Sequence, residues 1–220
     1  MERPTEQAYG EMQYAYDFFN IELFNNELPD CLITMQRTNG AYGYFSPNRF
    51  TTKDGKTTDE IAMNPIYFAG RTLEELLSTL VHEMVHLWQH RFGKPGRQRY
   101  HNREWAERMV LIGLQPSSTG KPGGKEVGDS MSHYIINDGP FSQAFQKLKK
   151  SDFAISWTDS AGVLLALFGG SLSGNGKNKT GIKKRNRAKY TCSACKTNVW
   201  GKPNLHLLCG DCEKEFEAVV

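Results

Sequence analysis

Residues 81–109 read VHEMVHLWQHRFGKPGRQRYHNREWAERM, and the fold turns on this stretch. His82 and His86 stand four apart, so on a helix both imidazoles project from one face and reach a single ion. Glu83 is offset to the side, where it reaches a metal-bound water without being a ligand, the place of a general base in hydrolysis. The context upstream is helical. Thr72 is an N-cap with Glu75 three residues on, a capping box, and Leu76, Leu77, Leu80, Val81, Met84, Leu87 and Trp88 supply the apolar side. The spacing predicts a helix to about Arg91 that stops at Gly93. The competing reading is a chance match on an exposed helix, against which the apolar side and the capping box both weigh.

A catalytic zinc usually has three protein ligands and a water, so a third ligand is needed. His90 continues the same face, but at 1.5 Å per residue it lies about 12 Å along the axis from His82, which suits a solvated or outlying residue better. His101 follows a glycine-containing turn and precedes a helix expected over 102–112, with Trp105, Met109 and Ile112 inward and Gly113 as its C-terminal cap. There it can fold back over the metal; an ordinary surface histidine is the alternative.

Working outward, residues 8–25 form an amphipathic helix through Met12, Tyr16, Phe19 and Leu23, halted by Asn25, Asn26 and Pro29. Strands are expected at 31–35, 41–50 and 61–66, the last two joined by a turn at Asp54-Gly55, giving a small, mostly antiparallel sheet. Residues 117–130 read as a long loop, 133–136 as a strand and 141–148 as a short helix. The aromatic run Ala41-Tyr42-Gly43-Tyr44-Phe45 suits either a cleft wall that takes an extended substrate by strand addition or plain cross-strand packing.

The chain has 220 residues and 24.9 kDa, with 39% hydrophobic and 23% charged residues, which suits one medium domain with a small appendage and excludes a wholly disordered or fibrous chain. Its longest apolar run, 163–168, is too short to span a bilayer and the amino terminus lacks a secretory apolar core, so a cytoplasmic location without membrane contact is expected. Cys192, Cys195, Cys209 and Cys212 form CxxC…CxxC, two knuckles that close a tetrahedral structural zinc site; a redox pair is the rival. Cys31 reads as a small buried hydrophobe. Net charge is +3, yet Lys177, Lys179, Lys183, Lys184, Arg185, Arg187 and Lys189 hold +7, leaving −4 for the rest. This tract neutralises phosphates, while Trp200 or Tyr190 stacks on bases; a solvated linker is the bland alternative. The expected division is a catalytic domain at 1–150, a flexible basic linker at 151–189 and a zinc ribbon at 190–220.

The 81–109 stretch, with His101-Asn102-Arg103-Glu104-Trp105 as an HxxE-aromatic motif and FFNIELFNNELPD upstream, resembles the SprT-like metallopeptidases, the group that includes the protease Spartan. The resemblance covers most of the chain and is weakest over 114–189. It implies an α+β, zincin-like minimal gluzincin fold, with His82, His86 and His101 on a catalytic zinc, Glu83 as general base and a second, structural zinc in the ribbon. Glu104 is a candidate to orient a ligand imidazole or merely to favour the helix dipole. His133 and Tyr134 are candidates to stabilise the oxyanion, with ordinary packing as the rival. The resemblance further implies an endopeptidase acting on proteins bound or crosslinked to DNA; the nucleic-acid contacts read from the basic tract and the ribbon are Lys183, Lys184, Arg185, Arg187, Lys189 and Trp200. The alternative is a nucleic-acid-binding, transcription-associated protein whose zincin domain has little turnover; an intact Glu83 counts against it.

Overall fold

In the computed structural model, which describes residues 3–167 and 188–219, the chain opens with helix α1 (Pro4–Phe24). It starts a turn earlier than the apolar spacing indicates because Pro4 stands in its first turn, where a missing N–H costs nothing. Met12, Ala15, Tyr16, Phe19 and Phe24 are buried on one side. Asn25 ends the helix in the left-handed region at φ 54°. Buried Asn20 then clamps the turn: its Nδ2 donates to the Leu28 carbonyl at 3.0 Å while its Oδ1 accepts from the Leu28 N–H at 3.1 Å.

Strands β1 (Leu32–Met35), β2 (Gly43–Thr51) and β3 (Thr57–Met63) make one sheet in the order β1-β3-β2. Gly55, at φ 88°, makes the β2–β3 turn. The sheet is mixed, not mostly antiparallel: β3 runs antiparallel to β2, with Phe45 opposite Ile61, but parallel to β1, with Ile33 opposite Ile61. The order is invisible in hydrophobic alternation, because β3 is buried from Asp59 to Met63 and alternation does not name its neighbours. Buried Asn64 pins the β1–β2 connection by donating to the carbonyls of Thr38 and Ala41 at 2.8 and 2.9 Å.

Helix α2 (Leu73–Phe92) carries a complete capping box: the Thr72 hydroxyl accepts from the Glu75 N–H and the Glu75 carboxylate accepts from the Thr72 N–H. It buries Leu76, Leu77, Leu80, Val81, Met84, Val85 and Leu87, so it runs through the core and carries its histidines rigidly. Helix α3 (Arg103–Leu111) follows, and Gly113 at φ 91° turns the chain out of it. A β-carbon at Gly113 would stand 2.9 Å from the Phe141 nitrogen, so only glycine fits there. Strands β4 (Leu114–Ser117) and β5 (Ser132–Ile135) pair antiparallel, and helix α4 (Pro140–Lys149) packs back on α1 through stacked Phe19 and Phe141.

Residues 151–167, expected as part of the linker, pack on the first helices instead. Phe153 and Ile155 pack on the core, Phe153 stacking on Tyr14 at 5.6 Å, and the Trp157 indole N–H donates to Gln7. Helix α5 (Ser160–Leu167) then seats on a short 3-10 turn at Pro65–Tyr67, with Asp159 paired to Arg37. The sequence hides this because Phe153, Ile155 and Trp157 alternate along an extended strap too short to read as an element.

By contacts the chain divides into two compact units, Met1–Gly176 and Lys177–Val220. In the second, β6 (Ala188–Cys192), β7 (Asn198–Gly201) and β8 (Phe216–Val219) form a sheet in the order β7-β6-β8. Lys177, Lys179, Lys183, Lys184, Arg185 and Arg187 lie outside the described residues. Among the described residues no helix is long and apolar enough to cross a membrane.

Candidate metal centre

Helix α2 presents His82 and His86 one turn apart, and the turn before α3 brings His101 against them. The ring centroids stand 5.2 Å apart for His82 and His86, 5.7 Å for His82 and His101, and 4.7 Å for His86 and His101. One ligand nitrogen from each lies within 4.8 Å of the others. His90 is outside this group; it sits half-buried beside Asp59 and the Phe45 ring.

The floor of the site is Trp105, fully buried, its ring 4.9, 5.2 and 4.4 Å from those of His82, His86 and His101. Burial and the neighbouring imidazoles push His82 well below the ordinary histidine range and His86 down to about 3; His101 is lowered chiefly by burial. All three are therefore neutral and keep the lone pair that a metal needs. Three neutral imidazoles converging on one point fit zinc.

Glu83 is buried beside them. Burial raises its carboxyl to about 8, opposed by the backbone N–H of Phe45. A β-carbon on Gly43 would stand 2.9 Å from the Ala62 carbonyl, 3.2 Å from Thr79 and 3.4 Å from the Glu83 side chain. Gly43 thus lets the start of β2 run close against α2, so the outer edge of β2, unpaired among the described residues, borders Glu83. This is the signal inside the aromatic run that sequence reasoning passed over.

His101 is held by the β4–β5 connection. Its backbone pairs with Gly128 in both directions, and its ring Nδ1 lies 3.1 Å from the Gly128 carbonyl, so Nε2 is the nitrogen that could reach a metal. His133 does not face the cleft as an oxyanion donor. It lies behind His82, Nδ1 to Nδ1 at 3.1 Å, with its Nε2 2.9 Å from the Ser78 hydroxyl; burial, with Arg71 nearby, pushes it down to about 3. Tyr134 is the next residue on β5, so strand alternation turns it to the opposite face.

Glu104 does not touch a ligand imidazole either. Its Oε2 accepts from the Gln89 amide and the Lys94 N–H, each at 2.7 Å, securing the loop that delivers His101. The motif position is informative, but its role needs the loop geometry that sequence spacing lacks.

In the second unit the ligand atoms of Cys192, Cys195, Cys209 and Cys212 also lie within 4.8 Å of one another. The two knuckles match. Lys196 N–H donates to the Cys192 carbonyl at 3.0 Å and Glu213 N–H to the Cys209 carbonyl at 2.9 Å, with Lys196 and Glu213 at φ 63° and 51°. Four thiol sulfurs in this arrangement are the donor set of a structural zinc. His206 stands aside, 3.1 Å from Glu215. Trp200 is 64% exposed and faces Lys189 across the β6–β7 pair, whereas Tyr190 is buried and donates its hydroxyl to the Lys202 carbonyl, which removes it as a stacking residue.

A family model described as the SprT-like family matches residues 12–122, just over half of the chain. A curated protein from Salmonella typhimurium, described as an uncharacterized protein in the mucB 3' region, is 58% identical over 59 residues, which is 26% of this chain and 80% of that protein. No solved structure matches.

Proposed function

The chain belongs to the SprT-like family, a zincin-like metallopeptidase family, and from that premise we propose that it is a zinc-dependent endopeptidase acting on proteins bound or crosslinked to DNA. The observation that carries the reading is the convergence of His82, His86 and His101 with Glu83 buried beside them. A purely structural site has no use for a carboxylate in that place.

His82, His86 and His101 would hold a zinc, which when bound would supply Lewis acidity toward water and a peptide carbonyl. Glu83 takes the proton of the attacking water and returns it to the leaving amine, a role its buried place beside the three imidazoles allows. The edge of β2 at Gly43–Ser46 receives the substrate as an added strand, which holds the scissile bond beside Glu83 by main-chain hydrogen bonds and leaves side-chain preference loose. Trp105 keeps the far side of the site dry.

Cys192, Cys195, Cys209 and Cys212 would hold a second zinc, which would supply the folding energy of a ribbon too small for its own core. The Lys189–Trp200 face pairs a phosphate-neutralising charge with an exposed ring for stacking, a sequence-tolerant way to hold single-stranded DNA. The segment with Lys183, Lys184, Arg185 and Arg187 adds further charge to this role. A cytoplasmic location belongs to the same proposal.

The test is cleavage of a DNA-binding protein by wild type and Glu83→Gln, each with and without single-stranded DNA. Cleavage that needs both Glu83 and DNA is the expected result. Zinc-loaded wild type that binds DNA and cuts nothing overturns the peptidase and leaves the binding factor.

A further inference from the structure

Three consecutive contacts run back from His82 into the core. Its Nδ1 meets Nδ1 of His133 at 3.1 Å, His133 Nε2 meets the Ser78 hydroxyl at 2.9 Å, and that hydroxyl donates to the Glu75 carbonyl at 2.8 Å. The last group fixes the direction of all the others, because a backbone carbonyl only accepts. With its proton spent on Glu75, the Ser78 oxygen accepts from His133, so the proton of a neutral His133 sits on Nε2. His133 Nδ1 is then a bare acceptor, and the proton between the two rings belongs to His82 Nδ1. That leaves the lone pair of His82 on Nε2.

We propose that His133 is a positioning residue for the metal, locking His82 in the tautomer and rotamer that offer Nε2 to the ion. The proposal rests on the zinc reading above. Gly128 does the same for His101 with its carbonyl, so the hairpin of β4, β5 and their connection, which contributes no ligand itself, orients two of the three. Outer partners of this kind raise ligand basicity and hold ring orientation, and their loss costs about 10–100-fold in metal affinity.

The experiment is zinc affinity by chelator competition on the full chain, with the four-cysteine site as an internal reference and cobalt absorption as a second readout. His133→Phe should weaken the histidine site about 10–100-fold, shift its cobalt bands and leave the cysteine site unchanged. His133→Asn, whose amide oxygen replaces Nδ1 as acceptor, should recover most of the affinity. Ser78→Ala frees the second tautomer of His133 and should weaken zinc several-fold. A folded His133→Phe that binds zinc as tightly as wild type overturns the proposal; if that variant does not fold, an unchanged Ser78→Ala overturns it. No zinc at the histidines of wild type sinks this inference and the peptidase reading together. Tight zinc, weakened as stated in the variants but without cleavage by wild type, sinks the peptidase reading and leaves the role of His133 standing.

Discussion

Gln89 donates its side-chain amide to Glu104 at 2.7 Å, a bond that joins the segment one turn beyond His86 to the segment three residues beyond His101. The same Gln89 amide donates to Asn102, and the same Glu104 oxygen accepts from Lys94, so the whole turn that delivers the third histidine is tied to α2. Gly93 belongs to the knot, since a β-carbon there would come within 2.5 Å of Glu104 Oε2.

Glu104→Ala therefore leaves the Gln89 amide and the Lys94 N–H without their acceptor. The expected cost is about 1–3 kcal/mol in stability, with zinc at the histidines weakened and the cysteine site untouched. Glu104→Gln can set its one carbonyl oxygen where Oε2 stands and keep both bonds, so it should lose much less. Urea denaturation with and without zinc measures both; a Glu104→Ala chain as stable as wild type would show that the loop holds His101 by other means.

Trp105 touches all three ligand rings from below, and it is fully buried. Trp105→Ala should cost about 3–5 kcal/mol, the range for emptying an aromatic site in a core. The same closeness makes its fluorescence a reporter, so cobalt added to metal-free protein should quench tryptophan emission. Trp105→Phe should remove most of that quenching, because Trp105 is the indole packed against all three rings.

What the sequence made legible was whatever lies on one regular element. The ligands on α2, its capping box and the cysteine knuckles all follow from spacing along a single helix or turn. His101 was within reach because only a short glycine-bearing loop separates it from α2. The roles of His133, Ser78 and Glu104 were hidden because each depends on contacts between elements: His133 is 51 residues from His82, and nothing in the local pattern of Ser-His-Tyr says which face meets α2. The parallel pairing of β1 with β3 was hidden for the same reason. The packing of Phe153 and Gly162 is not legible in sequence because their partners, in α1 and the 3-10 turn, are far away along the chain.

Cys31 carries a pH dependence whose sign can be worked out. Burial, with Asp59 and Asp30 nearby, raises its thiol from an ordinary 9.0 to about 12. Below pH 9 both folded and unfolded chains keep the proton, so this thiol adds no slope. Between 9 and 12 the unfolded chain gives the proton up and the folded chain does not, so stability falls as pH rises. Cys31→Ala should flatten the alkaline limb of a melting-temperature profile, the residue of the slope belonging to Tyr16, which burial also pushes up. An alkaline limb identical in Cys31→Ala and wild type would refute this assignment.

Gly162 tests whether the strap after residue 151 belongs to the first compact unit. A β-carbon there would fall 2.2 Å from the Ile66 carbonyl oxygen and 2.9 Å from its carbon, both of them backbone atoms with little freedom to move. Gly162→Ala must lift α5 off the 3-10 turn or shift Pro65–Tyr67, at about 1–3 kcal/mol by the usual cost of overpacking. The Asp159 N–H to Pro65 carbonyl bond and the Arg37–Asp159 pair lie next to that contact, so they should loosen with it. Hydrogen exchange should then quicken over residues 156–165 while amides around His82 and His86, deep in α2, keep their protection and zinc affinity stays at its wild-type value. Exchange in the strap that is unchanged by Gly162→Ala would mean that α5 is not held by this contact, and the boundary of the first unit would move back toward residue 150.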